Sequence, residues 1–521
     1  MKICILTAGK GSRMGPLDKD INKALLPVKD KAIISHIIEF FSPDDEFVIG
    51  LGYLGEQVKD YLTIAHPEKI IHYVNIENFE GVGSGPGYSL LCCKEFLQEP
   101  FYFVPCDGIF EGDLKSAPNG NWVGTKQVRN EESENYCNLS IKDGIVVEIK
   151  DKEKCSEDYV AFTGILYVKN FEEFWNSLED TSIVKGEHQI SNGFRGLMEG
   201  PGLFGVEMNW TDLGELEKYR NFKRDENAYN FEKINEFTYF VNGKTIKFFS
   251  DEKNIRDRNS KSILNQKVFP KIIDKKEQFF SYEFFPGETF YSCGNFELFK
   301  NLLSWLKENL WEKKNVDSKI MVDLCTKFYY EKTLSRIEFF ESLNPNYQYP
   351  TKINKVKVIP LPEIIKKIPW ELLFEGIPTF IHGDLQFDNI IYNKKLDKFL
   401  LIDWRQDFAG KLEFGDLYYD IAKLYGGILL NYDFIKKGLF KFSQSDKEVT
   451  YDFAIRNSNS KYKEILEEFI KENKLDEKKI LILVGLIYIN MAPLHHPPFN
   501  FLLIALGTKI LNQTLKMKDE I

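Results

Sequence analysis

The sequence predicts an α/β chain in two parts: a doubly wound, mostly parallel sheet first, then a smaller sheet leading into a mostly helical region. Three observations predict it. Short β-like runs alternate with helical stretches through the first 220 or so residues, the order of a wound α/β sheet. A glycine loop, Gly9 to Gly15, directly follows the first apolar run. A polar stretch without periodicity, DENAYNFEKINEF at 225–237, then precedes a fresh strand pattern.

Taken in order, Lys2 to Thr7 is an apolar run of the kind that forms a strand buried on both faces. Ile33 to Phe41 has helical spacing, Glu46 to Leu51 reads as a strand, and Leu54 to Leu62 as a helix. Ile70 to Ile76 is a strand and Tyr88 to Phe96 a helix. Phe101 to Pro105 is a strand ending at Cys106-Asp107-Gly108. The aperiodic stretch places a boundary near 230 and gives domains 1–230 and 231–521. In the second, Asn242-Gly243 marks a hairpin turn inside TYFVNGKTIKFF. Helical spacing runs from Phe290 to about Leu343. A strand–loop–strand follows from Thr379 to Trp404, and amphipathic helices then continue to the end.

Composition excludes several classes. The 521 residues suffice for about three domains, and 43% hydrophobic with 28% charged residues is ordinary for a globular chain. The 68 basic and 78 acidic residues give a net charge of −10, so no nucleic-acid partner is expected. Eight cysteines are too sparse for a disulfide framework and read as reduced, in a cytoplasmic setting. MKICILTAGKGSRMG has too short an apolar stretch for a secretion signal, and no window approaches twenty uninterrupted apolar residues. Small-molecule partners are expected and no membrane insertion; homo-oligomerisation is left open.

The loop Gly9-Lys10-Gly11-Ser12-Arg13-Met14-Gly15 has the chemistry of a phosphate cradle. Glycines let backbone N–H groups approach phosphate oxygens, and Arg13 adds a planar fork. A dinucleotide fold would use a similar loop, but Asn22-Lys23-Ala24-Leu25-Leu26-Pro27-Val28 belongs to no dinucleotide fingerprint. With that run, the chain resembles the sugar-phosphate and choline-phosphate nucleotidyltransferases, whose signature is L-x-A-G-x-G-[ST]-R followed by P/N-K-x-L-x-P-V. Gly50 to Gln57 matches that family's G-Y segment, Gly83 to Leu90 its base-contacting loop, and Asp107 and Trp210-Thr211-Asp212-Leu213-Gly214 its metal carboxylates. The resemblance spans residues 1 to about 222. It implies a Rossmann-like fold, with Ala8, Gly9, Gly11, Ser12 and Gly85 on the nucleotide. Arg13 and Lys23 are implied as catalytic, Asp107 and Asp212 on Mg²⁺, and Lys152 on the acceptor phosphate.

A second constellation is Phe380-Ile381-His382-Gly383-Asp384-Leu385-Gln386-Phe387-Asp388-Asn389, followed by FLLI and Asp403-Trp404. Phosphoryl transfer from ATP needs a carboxylate facing the acceptor hydroxyl and groups to hold a metal on the phosphates. This pattern resembles the aminoglycoside phosphotransferase and choline kinase family, relatives of the protein kinases. The resemblance implies a two-lobed kinase-like fold, with a small lobe over about 238–290 and a large helical lobe over about 291–521. It implies Asp384 as catalytic base, Asn389 and Asp403 as Mg²⁺ ligands, and His382 in a supporting role. Lys247 would meet the ATP phosphates and Glu283 the adenine hinge, with Asp416 and Asp420 as structural acids.

Together the two resemblances imply consecutive steps: ATP phosphorylates a small alcohol, and an NTP, with CTP favoured, converts the product into an activated donor. Choline, ethanolamine or a related polyol is the expected acceptor, for decoration of cell-surface polysaccharide. An anomeric sugar kinase joined to a sugar-1-phosphate nucleotidyltransferase is the alternative, and a regulatory protein with one dead half a second.

Overall fold

The computed structural model describes residues 1–179, 183–223, 235–456 and 458–517. Its contacts divide the chain into two compact units. The first holds Met1–Arg224, Lys233–Asp251 and Asp274–Tyr282, and the second holds Glu252–Ile273 and Glu283–Ile521. This division differs from a single cut near 230, because strands expected in the small lobe pack with the N-terminal unit.

In the first unit β1 (Lys2–Leu6), β2 (Glu46–Leu51), β3 (Ile71–Asn75) and β4 (Phe101–Pro105) run parallel, in spatial order β3-β2-β1-β4. Their connections carry α1 (Ile33–Phe40), α2 (Gly55–Ala65) and α3 (Pro86–Cys92). The unbroken apolar run of β1 is explained by burial on both faces. Ile3 and Ile5 join the core containing α1 and α2, while Cys4 joins Leu90 of α3 on the other face. The chain passes from β1 to β2 on one side and returns to β4 on the other. The strand order therefore reverses between β1 and β4, where open α/β sheets form a ligand crevice at their carboxyl ends.

After β4, β5 (Gly108–Glu111) leaves the main sheet. The remaining strands are β6 (Asn121–Lys126), β7 (Cys137–Lys142), β8 (Ile145–Asp151), β9 (Tyr159–Val168) and β10 (Leu203–Glu207). They complete a nine-stranded sheet of order β3-β2-β1-β4-β9-β6-β10-β8-β7. Here the mostly parallel expectation needs correction, since β9 runs antiparallel to both β4 and β6. Connections as short as Asp143-Gly144, between β7 and β8, cannot make the crossover a parallel pair requires. Finally β11 (Asn209–Asp212) pairs antiparallel with β5, setting Asp212 opposite Gly108.

The expected hairpin forms from β12 (Glu236–Val241) and β13 (Lys244–Phe249), with Asn242 and Gly243 both at positive φ. With β14 (Ile272–Lys275) and β15 (Phe279–Glu283) it makes a sheet of order β12-β13-β15-β14. The hairpin extends the first unit's core. Tyr239 of β12 meets Tyr61 of α2 edge-on at 5.0 Å, its hydroxyl donates to the Leu25 carbonyl at 2.7 Å, and Phe248 and Phe279 lie in the same buried cluster.

In the second unit the strand–loop–strand comprises β16 (Ile390–Asn393) and β17 (Lys398–Leu401). Around it stand α4 (Glu252–Leu264), α5 (Lys332–Leu343) and α6 (Leu417–Leu429). A further hairpin, β18 (Phe440–Ser445) and β19 (Glu448–Phe453), interrupts the region expected to be helical throughout. Its alternating FKFSQS and EVTYDF segments are a strand signal, since a half-buried ribbon has period two. No helix among the described residues is long and apolar enough to cross a membrane.

Candidate active sites

At the carboxyl ends of β1 and β4 the first unit opens a cleft of about 810 Å³. Its lining includes Ala8, Gly9, Gly11, Ser12, Arg13, Lys23, Gly85, Asp107 and Lys152, so the fold gathers these expected residues into one place. Gly11 has φ +72°, and the Lys23 side chain passes 3.5 Å from where its Cβ would stand. Gly85 has φ +117° before α3, and a Cβ there would collide with the His188 carbonyl at 2.8 Å. Asn22 caps the short helical turn, Lys23–Leu25, that begins with Lys23. Its buried amide donates to the Thr7 and Tyr53 carbonyls at 2.9 and 2.7 Å, tying three loops together.

Lys23 Nζ lies 2.7 Å from Asp107 Oδ2. Burial by itself would lower the lysine's pKa, but the adjacent carboxylate more than offsets it and holds the ammonium above its ordinary value. Burial likewise would raise Asp107, yet Lys23 and then Arg13 hold it below the usual carboxylate range. Asp212 arrives from β11, where Lys218 Nζ (2.6 Å) and the Tyr136 hydroxyl (2.7 Å) fix its Oδ2, and the Gly214 N–H donates to its Oδ1. A Cβ on Gly214 would stand 3.1 Å from both Asp107 Oδ2 and Asp212 Oδ1, and 3.6 Å from Arg13 Nη2. Two carboxylates and a guanidinium thus converge on a gap that glycine leaves open. Two oxygens of this hardness suit a divalent cation such as Mg²⁺ together with substrate phosphates. Lys152 reaches the same cleft, where it pairs with Glu187 at 2.7 Å. Lys218, Tyr136 and Glu187 were not legible from motifs, because they act only through side chains brought close by the fold.

In the second unit the loop before β16 is held by a hydrogen-bond network. Asp420 of α6 accepts the His382 and Gly383 backbone N–H groups at 2.8 and 2.7 Å, and Trp311 Nε1 at 3.1 Å. His382 is fully buried; its Nδ1 accepts the Asp384 N–H and its Nε2 donates to the Ile402 carbonyl at 2.9 Å. That pairing fixes the tautomer, and burial pushes the imidazole pKa down to about 4. Asp416 caps α6 and accepts the Tyr329 hydroxyl at 2.8 Å, so both acids are engaged by donors of the surrounding fold. Lys261 of α4, buried, donates to the Arg405 carbonyl at 2.7 Å and closes the loop from the other side.

The network presents Asp384 with Oδ1 facing Lys423 Nζ at 2.8 Å and Gln386 Nε2 at 3.1 Å. Asn389 Nδ2 donates to the Asp384 carbonyl at 2.8 Å and lies 3.4 Å from Asp384 Oδ2. The Ile402 N–H donates to the Asn389 carbonyl at 2.9 Å and so carries the next residue, Asp403 at φ +55°, alongside Asn389. One amide oxygen and one carboxylate suit a cation that also binds phosphate. Lys247 lies in the first unit, buried on β13 with its Nζ 2.8 Å from Thr238 Oγ1, and Glu283 lies exposed at the end of β15. Lys423 had no sequence signal beyond its helical spacing from Asp420.

Residues 3–114 match the MobA-like NTP transferase domain, and the N-terminal part of the chain has nucleotidyltransferase relatives. Bifunctional protein GlmU of Methanocaldococcus jannaschii is 28% identical over 219 residues, covering 41% of this chain and 51% of that protein. Choline-phosphate cytidylyltransferase of Streptococcus pneumoniae is 34% identical over 124 residues, covering 22% of this chain and 50% of that protein. The chain spans about half the length of the curated relatives it matches. Among solved structures, a UDP-glucose pyrophosphorylase complexed with UDP-glucose aligns at 19% identity and a TM-score of 0.37, over 42% of this chain and 96% of that one.

Proposed function

We propose that the chain is a bifunctional enzyme: residues 231–521 phosphorylate a small alcohol with ATP, and residues 1–230 join the product to the nucleotidyl group of an NTP. The observation that carries the second step is the convergence of Asp107, Asp212, Arg13 and Lys23 at the switch point between β1 and β4. Such a site lacks a protein nucleophile and needs none. An oxygen of the acceptor phosphate attacks the α-phosphorus, the bond to the β-phosphate oxygen breaks, and pyrophosphate leaves. Arg13 holds the departing pyrophosphate, Lys23 lies between the two reacting phosphates, and Lys152 holds the acceptor phosphate. Mg²⁺ on Asp107 and Asp212 would supply further positive charge to the triphosphate. CTP is the favoured nucleotide, in keeping with the cytidylyltransferases among the relatives.

For the first step, the supporting observation is the Asp384–Asn389–Asp403 arrangement. Asp384 takes the proton of the acceptor hydroxyl, whose oxygen attacks the γ-phosphorus as the bond to ADP breaks. Lys423 and Gln386 hold its Oδ1, and Asn389 Nδ2 lies 3.4 Å from its Oδ2, so the carboxylate is oriented before the hydroxyl arrives. Lys247 is assigned to the ATP phosphates, Glu283 to the adenine edge, and Asn389 with Asp403 to Mg²⁺. The test is to give the full chain ATP with a panel of alcohols, add each NTP in turn, and follow ADP and pyrophosphate. Pyrophosphate release only after ADP formation supports two consecutive steps; no release with any NTP and any phosphorylated acceptor overturns them.

A further inference from the structure

The surroundings of Asp384 carry the wrong charge for a cationic alcohol. Four cations gather there: Lys423 on α6, Lys332 and Arg336 one turn apart on α5, and Arg405 just beyond β17. Lys332, Arg405 and Lys423 share an aromatic floor. Phe328 and Tyr419 meet edge-on at 4.8 Å. Lys332 Nζ lies 4.1 Å from the Phe328 ring centroid and 5.9 Å from that of Tyr419, while the Arg405 guanidinium lies 5.0 Å from Phe328. Lys423 Nζ is 6.0 Å from Tyr419. An aromatic box for a quaternary ammonium would use those ring faces, and side-chain cations already occupy them.

The charge is also unbalanced. Asp384 pairs with Lys423, but among the described residues no carboxylate lies within ion-pair distance of Lys332, Arg336 or Arg405. Lys332 and Arg336 sit four residues apart on one helix face, a like-charge spacing that costs stability. Burial and then Arg405, Lys423 and Arg336 push the Lys332 pKa well below its ordinary value, and the opposing pull of Asp384 does not make up for them. Arg336 is shifted the same way, by burial and then by Arg405.

We infer that Lys332, Arg336 and Arg405 form an anion subsite beside Asp384, so that the alcohol phosphorylated there carries its own carboxylate or phosphate. This rests on the kinase reading above and sharpens its substrate class. A hydroxy acid or phosphorylated polyol would lay its anionic end on the guanidinium and ammonium groups and turn its hydroxyl toward the Asp384 carboxylate. The expectation of choline or ethanolamine is thereby replaced.

The test uses the full chain with ATP and five acceptors of graded charge: D-glycerate, glycerol 3-phosphate, glycerol, ethanolamine and choline. An anionic acceptor should exceed glycerol by about tenfold or more in kcat/KM, the scale of one charge-assisted hydrogen bond, with the two amines poorest. Choline, ethanolamine or glycerol as best acceptor overturns the inference and leaves the kinase reading standing. ADP formation with none of the five overturns both. In a second arm, Lys332→Met and Arg336→Met should raise KM for the anionic acceptor and leave KM for ATP unchanged. A rise in KM for ATP alone would show that these cations serve the nucleotide phosphates, and the subsite would be refuted.

Discussion

Lys423 Nζ stands 2.8 Å from Asp384 Oδ1, and the two side chains differ in exposure: 8% for the lysine and 37% for the aspartate. The buried partner therefore orients the open one. Burial would lower the lysine's pKa, and Asp384 next to it more than restores it, so the ammonium stays charged while its carboxylate partner is partly open to solvent.

Asp384→Asn is expected to cut acceptor phosphorylation by about 10²–10⁴, the usual share of a general base, and to spare nucleotidyl transfer to a pre-phosphorylated acceptor. The two sites share no residue. Lys423→Met should lower kcat of the first step with little loss of thermal stability, because the freed carboxylate can rehydrate. Separate assays of ADP and pyrophosphate check both; joint loss of the two activities in a folded variant would refute two independent sites.

Asp107→Ala and Asp212→Ala should each slow pyrophosphate release by about 10²–10³, since each removes one oriented charge from the phosphate site. The kinase step should persist. A complementary expectation is that chelation of divalent cations stops both steps. Near-normal pyrophosphate release in either variant at saturating Mg²⁺ would reassign the metal carboxylates.

Tyr239→Ala should destabilise the N-terminal unit although it lies beyond residue 230. The ring is fully buried against Tyr61, and truncating a core aromatic costs about 3–5 kcal/mol. A chain ended at 230 should lose the same cover and expose Tyr61 and the Leu25 carbonyl. Thermal denaturation of the full-length variant, followed alongside pyrophosphate release, checks it; an unchanged melting temperature would show that the hairpin contributes nothing to this core.

His382 gives a pH dependence. Its folded pKa of about 4 lies below the ordinary 6.5, so between those values the unfolded chain binds the extra proton. Stability from this group is therefore complete above about pH 6.5 and is lost as pH falls toward 4, by up to about 3 kcal/mol. Asp420, which burial pushes up to about 6, has the opposite slope below that pH. It is common to wild type and His382→Asn, so the difference between their denaturation curves isolates the imidazole. Parallel curves from pH 7 to 4 would show that His382 is not held neutral.

The glycine loop, Lys23, Asp107 and the H-G-D-x-x-x-x-N run could be read directly because each is a local device. Phosphate cradles and catalytic turns work through backbone geometry set by a few successive residues. The hairpin β18–β19 was equally local, and its alternation was passed over among helical segments. Lys218, Glu187, Lys332 and Arg405 had no such signal. Each is a single charged side chain in a polar stretch, indistinguishable in sequence from a solvated one.

By itself, then, the sequence determined the wound α/β character of the first part and the order of the segments that line its cleft, and it named the acids on which the two proposed sites rest. Hydrophobic period and turn chemistry act over short range and are written in neighbouring residues. Only the tertiary structure decided that β12 and β13 complete the N-terminal core, that Asp212 meets Asp107 across Gly214, and that Lys332, Arg405 and Lys423 gather over Phe328 and Tyr419. The reason is physical. Burial, Coulombic balance and convergence depend on distances through space between residues that are tens to hundreds of positions apart along the chain.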